Sequence, residues 1–387
     1  MKVAFASQML VNAATFMVLP FVLPHLTGAA GLTMGDAGTV VAVLVLSSRL
    51  LAVVSGPVAD RMGYRAAMAR GLVVAGAGLA VLAGASTYRQ SLAAAVVAGF
   101  GRSLYEPALA ALLARQENGG RLRLFATRTQ LLNAGVAIGP AAAAAALTLG
   151  AAAPFLVAAT ILGATGTAIS FAPDTPGAPS AAVGRRKRLR SLYAKAVRRR
   201  SFVSLWPILV VWWAVFMQLT VSVPLAAREL GGEQLVAVVF LLNGMTGIVV
   251  LGWVKGWSGG IEPARLLTVG LAITAAGFVM LPLVDSHVWL LSCIVVYTLG
   301  ESLVLPAIDL LVATSADDET ASTFFGLALG AWAVGGAGGV LLGTWLMAGS
   351  GPVTPWATYG VLALVGASAV AVYGRSVAGR GVLATTP

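Results

Sequence analysis

Apolar stretches recur along the whole chain, separated by short polar breaks. Each is long enough for the ~20 residues that a helix needs to cross roughly 30 Å of hydrocarbon. Read as helices, they predict spans at 3–26, 35–58, 66–87, 90–114, 127–148, 152–172, 202–226, 233–254, 264–283, 288–313, 320–347 and 353–374. That makes twelve, six on each side of a polar segment at 173–201. A spanning β-barrel would instead alternate apolar and polar residues over short strands. The expected fold class is therefore all-α and integral to a membrane.

The two sets of six repeat one another. GRSLYEPALAALLAR (101–115) and GESLVLPAIDLLVAT (300–314) share seven of fifteen positions without a gap, at an offset of 199. Phe16-Met17-x-Leu19 with Pro24 returns as Phe216-Met217-x-Leu219 with Pro224, at an offset of 200. The sharpest change within the first pair is Arg102 against Glu301. With an even number of helices in each half, the repeats run parallel, an arrangement that places a substrate near the bilayer midplane.

Composition agrees. The chain is 58% hydrophobic and 10% charged, against about 25% charged for a globular protein. Its net charge of +11 raises the question of a nucleic-acid partner, and the positions of the charges answer it. Of the 25 Lys and Arg, Arg89 and Arg228 fall outside and Arg49 and Arg102 within helices; the remainder fall on the cytoplasmic side if both termini are cytoplasmic. This is the positive-inside bias. The densest patch, RRKRLRSLYAKAVRRR (185–200), has one Tyr and no folded module around it, so it is expected to lie against anionic lipid headgroups and not nucleic acid. The one cysteine, Cys293, falls in a span, and His25 and His287 have no metal-ligand spacing. No cofactor, metal or covalent chemistry is expected. The first apolar run exceeds a 7–15-residue signal core, and its motif recurs in the seventh helix, so it is read as a retained span.

Residues 173–201 begin with PDTPGAPSAAVG, a flexible connector that turns basic and amphipathic. The expected organisation is an N-terminal bundle at 1–172, a cytoplasmic linker at 173–201 and a C-terminal bundle with a short tail at 202–387.

Between the second and third helices lies GPVADRMGYR (56–65). Gly56 and Gly63 permit tight turns there, Asp60 can accept from a helix N-terminus, and Arg61 and Arg65 offer partners for carboxylates or lipid. Positive-inside bias accounts for the arginines but not for the acid among them. The segment resembles the loop signature of the major facilitator superfamily, G-x-x-a-D-R-x-G-r-r. The helix count, the two halves and the linker extend the resemblance to the whole chain. It implies a conformational latch between halves, with Asp60 as its acid and Arg61 and Arg65 as supporting cations. The second half's counterpart, GWVKGWSGG (252–260), keeps Gly252 but has Lys255 and no Asp.

Gly135-x-x-x-Gly139-Pro140 in the fifth helix resembles the core of that family's drug–proton antiporter motif, with Ala143 and Ala144 in place of its last two glycines. A Gly-Pro step permits bending; small-residue packing is the competing reading. The family's fourth-helix arginine would fall at Ala95; the nearest basic residue is Arg102.

A charge at the bilayer centre costs at least about 2.5–3.5 kcal/mol, so such residues face a cavity or a partner. Here they are Arg49, Arg102, Glu106, Glu301 and Asp309. Arg102 and Glu106 are spaced to pair along one helix. Three readings stand: structural ion pairs; proton coupling through Glu301 or Glu106, with Arg102 as the released partner; or recognition of a charged substrate. Gln8, Asn12, Asn133, Gln218 and Asn243 are further polar groups within spans, and Trp212 and Trp213 offer an apolar wall.

The resemblance implies a monomeric secondary transporter working by alternating access, expected to exchange protons for a small drug-like or amphipathic compound that it exports. The alternatives are a proton symporter importing a polar metabolite and a non-transporting membrane sensor.

Overall fold

A computed structural model describes residues 2–28, 30–115, 121–172, 189–256, 261–283, 286–317, 320–349, 351 and 353–383. The first part of the predicted linker, 173–188, lies outside them. The elements in order are α1 (Lys2–Val18), α2 (Val22–Gly28), α3 (Met34–Leu50), α4 (Ala52–Met62), α5 (Tyr64–Ala83), α6 (Tyr88–Ala114), α7 (Arg121–Leu147), α8 (Ala153–Phe171), α9 (Leu189–Arg198), α10 (Arg200–Phe216), α11 (Ser222–Val254), α12 (Pro263–Met280), α13 (His287–Ser315), α14 (Ala321–Gly349) and α15 (Thr354–Leu383). Among the described residues, seven helices are long and apolar enough to cross a membrane, or eight when the bent pair α3 and α4 counts as one span. Each predicted span has its helix, but several are broken or re-bounded.

The breaks have local causes. The second predicted span, 35–58, bends by 46° between α3 and α4, just ahead of Pro57, whose ring crowds the preceding turn. The first span passes through a 3-10 turn at Leu19–Phe21 that carries a proline. The seventh and eighth meet inside α11 at Gly231 and Gly232, the latter at φ 70°. The basic half of the linker forms its own helix, α9.

The helices gather into two compact units. The first comprises Met1–Gln116, Leu131–Ala196 and Ala316–Gly330. Within it, α5 packs on both α6 and α8. The second comprises Glu117–Gln130, Val197–Ser315 and Ala331–Pro387. There α12 packs on both α13 and α15, the same relation one repeat later. The repeated glycine sets both crossings. A Cβ on Gly101 would meet the Gly71 carbonyl oxygen at 2.5 Å, and one on Gly300 would meet the Gly270 carbonyl oxygen at 2.5 Å. Backbones this close admit only glycine, which is how helices associate where lipid is as apolar as their side chains. Aromatic rings complete the second unit's core: Phe278 meets Tyr297 edge-on at 5.3 Å and Tyr359 at 5.5 Å.

Candidate functional site

The GPVADRMGYR segment is helix for most of its length, a correction to the loop expected there. Gly56, Asp60 and Arg61 all lie within α4. Only Gly63, at φ 87° and ψ 142°, leaves helical geometry before α5 begins at Tyr64, a conformation that disfavours any Cβ. Gly56 makes no turn. Its Cα instead faces the Ser322 carbonyl oxygen, which an added Cβ would meet at 2.5 Å.

That approach brings Asp60 to the start of α14. Its Oδ1 accepts from the Ser322 backbone N–H at 3.0 Å. Its Oδ2 accepts from the Thr323 N–H at 2.8 Å and from the Thr323 hydroxyl at 2.6 Å. Because α14 begins at Ala321, both amides belong to the first turn, where no carbonyl of the helix itself can accept from them. A carboxylate there is a cap supplied from another helix, favoured by the N-terminal end of the dipole. Asp60 is buried, which leaves the contact unscreened by water. Arg65 donates to the carbonyls of Ser170 and Ala172 at 2.9 and 2.7 Å and so caps the C-terminus of α8. Arg61 occupies the last turn of α4, where its charge suits that helix's dipole.

The second half's counterpart also makes a contact. Lys255 donates to the Gln130 side chain, and Gln130 Nε2 donates to the Ile248 carbonyl at 2.9 Å. Lys255 has its pKa lowered from the ordinary lysine value, first by burial and then by the nearby charge of Arg123.

The intramembrane charges separate into four settings. Arg102 pairs with Glu106 at 2.8 Å and donates to Asn12 Oδ1 at 3.1 Å, joining α6 to α1. Asp309 meets Arg128 at 2.6 Å, a residue that the charge count had placed on the cytoplasmic side. Glu301, on α13, accepts from Asn243 Nδ2 at 2.9 Å, and the same nitrogen lies 2.9 Å from the Thr298 hydroxyl. Its described partners are neutral. Arg49 is half-buried in the last turn of α3, ahead of the bend.

Among the weaker polar candidates, Gln218 donates to the carbonyls of Ala214 and Gly339. Gln8 is buried with both amide atoms unmatched among the described residues. Gly135 and Gly139 lie against α1: their Cβ atoms would meet the Ala13 nitrogen at 2.8 Å and the Ala13 carbonyl oxygen at 2.7 Å. The helix α7 runs unbroken through residue 140, so close packing accounts for both glycines. Trp213 meets Phe216 at 5.1 Å and Trp332 at 6.1 Å, extending the aromatic wall that Trp212 and Trp213 suggested.

Comparison with known proteins bears on these features. A family model described as Major Facilitator Superfamily matches residues 4–340. An uncharacterized MFS-type transporter of Mycobacterium tuberculosis is 27% identical over 286 residues, covering 72% of this chain and 67% of its own. The multidrug resistance protein MdtH of Cronobacter sakazakii is 24% identical over 374 residues, covering 92% and 90%. The human organic anion transporter MFSD10 superposes with a TM-score of 0.76 at 17% identity, covering 95% of this chain and 98% of that one. The Escherichia coli fucose:proton symporter FucP gives 0.79 at 12% identity, with 97% of each chain covered.

Proposed function

The chain belongs to the Major Facilitator Superfamily, a multi-pass membrane secondary transporter of a small molecule, and on that premise we propose that it is a proton-coupled exporter of an amphipathic compound. Both termini lie in the cytoplasm, as the distribution of Lys and Arg favours. Asp60 latches α4 to the start of α14, and the latch breaks and reforms as access alternates between the two sides of the membrane. Export is supported by the similarity to MdtH.

The observation that carries proton coupling is the contrast between the two buried glutamates. Glu106 is held by Arg102, so neutralising it breaks an ion pair. Glu301 is held by the Asn243 amide, so it can change charge without leaving a cation unmatched. Glu301 is therefore the carrier, while Arg102 and Glu106 hold α6 against α1. The test is flux of amphipathic dyes into proteoliposomes under an imposed pH gradient. Glu301→Gln abolishes gradient-driven flux but keeps exchange at equal pH, whereas Glu106→Gln lowers protein stability. Gradient-driven flux unchanged in both variants would sink the assignment.

A further inference from the structure

Pro57 lies inside α4. A proline nitrogen carries no hydrogen, so the carbonyl four residues earlier, that of Val53, has no donor within its own helix. Left unmatched away from water, such a group destabilises the fold. Its partner comes from the linker: the Tyr193 hydroxyl of α9 donates to the Val53 carbonyl at 2.7 Å. Burial raises the Tyr193 phenol above its ordinary pKa, so the hydroxyl keeps the proton that it donates. Leu192 and Ala196, one turn apart on α9, are buried, so this helix is docked by apolar contact together with one directed bond.

The rest of α9 has a different character. Lys195 and Arg198 are exposed, as are Arg199 and Arg200 just beyond. A short amphipathic helix between two spans, with cations on its outer side, belongs in the plane of the membrane interface. Each Lys or Arg near an anionic surface adds to the attraction. The orphaned carbonyl, the tyrosine that occupies it and the exposed cations therefore form one connected device.

We propose that α9 is a lipid-responsive strap: anionic phospholipid headgroups bound at Lys195, Arg198, Arg199 and Arg200 hold Tyr193 on the Val53 carbonyl and so steady α4, the helix that carries Asp60. The consequence for transport rests on the latch reading; the docking of α9 and its response to lipid do not.

Hydrogen–deuterium exchange of the full chain in nanodiscs tests this, comparing phosphatidylcholine alone with phosphatidylcholine plus phosphatidylglycerol. The anionic lipid slows exchange across 189–198 and across 52–62, the latter about fivefold, the ratio that one net hydrogen bond supplies. Tyr193→Phe keeps the slowing in 189–198 and loses it in 52–62. Replacing Lys195, Arg198, Arg199 and Arg200 by Gln removes both effects. Equal exchange in the two membranes overturns the proposal. So does a Tyr193→Phe protein whose 52–62 segment still responds, or equal protection from inorganic phosphate in phosphatidylcholine alone. If Asp60→Asn leaves turnover intact, the latch reading fails while these exchange differences stand.

Discussion

Asp60 holds the start of α14 through three acceptor contacts of unequal kind: two backbone amides and one hydroxyl. The inequality gives a graded prediction. Thr323→Val keeps both amides and removes only the hydroxyl, so turnover changes about fivefold, as for one ordinary hydrogen bond. Asp60→Asn removes the charge and one acceptor, and hydrogen bonds to charged groups contribute about 1.5–3 kcal/mol each, so the loss is larger, roughly tenfold or more. In both, turnover in proteoliposomes falls while substrate affinity holds; equal loss of the two would indicate misfolding instead. The acid itself was legible, because an Asp among arginines is not what positive-inside bias produces. Its partners were not. Backbone amides carry no mark in the sequence, and any residue at the start of α14 could have supplied them. Arg128 was missed for a related reason: it reads as one more cytoplasmic cation, and nothing local points to Asp309, 181 residues away.

The approximate positions of the helices followed from apolar run length alone, because lipid demands it. The places where a helix bends or reverses did not follow. GPVADRMGYR reads as a loop from its polarity, yet α4 continues to Met62, since only Gly63 has to reverse the chain. The repeated segment was informative at this scale: Gly101 and Gly300 are the crossing points of α6 with α5 and of α13 with α12. Their partners Gly71 and Gly270 stand at the same offset of 199, a second signal of the duplication. Gly101→Ala and Gly300→Ala each force backbones apart, and overpacking of this kind costs about 1–3 kcal/mol. Both should lower the thermal midpoint in detergent by similar amounts. Gly163→Ala, where an added Cβ meets nothing within 4 Å, should leave it unchanged or raise it slightly; a fall as large as the other two would refute the crossing argument.

At the scale of the molecule, the intramembrane charges are distributed by role. The Arg102 and Glu106 pair binds α6 to α1 within the first unit, and the Arg128 and Asp309 pair lies within the second. Breaking the latter from either side leaves a partly buried charge, which costs several kcal/mol when burial is complete and less here. Arg128→Asp or Asp309→Arg alone should therefore destabilise, and the double exchange should recover most of the loss. A double-mutant cycle on the thermal midpoint measures that coupling; additive effects would mean that the pair contributes nothing as a pair. The sequence mismatch between Arg102 and Glu301 marks this division of labour. The two positions correspond across the repeat, but Arg102 joins α6 to α1 through Glu106 and Asn12, whereas Glu301 meets the neutral amide of Asn243.

The composition of the first unit has a consequence for synthesis. Asp60 is made early, while Ser322 and Thr323 that receive it emerge some 260 residues later. Until the ribosome passes residue 330, the first unit lacks its closing segment. The nascent N-terminal helices therefore wait in the bilayer with Asp60 lacking the two α14 amides and the Thr323 hydroxyl from which it accepts in the folded chain. A chain severed at the linker should mature only when both fragments are made in the same cell.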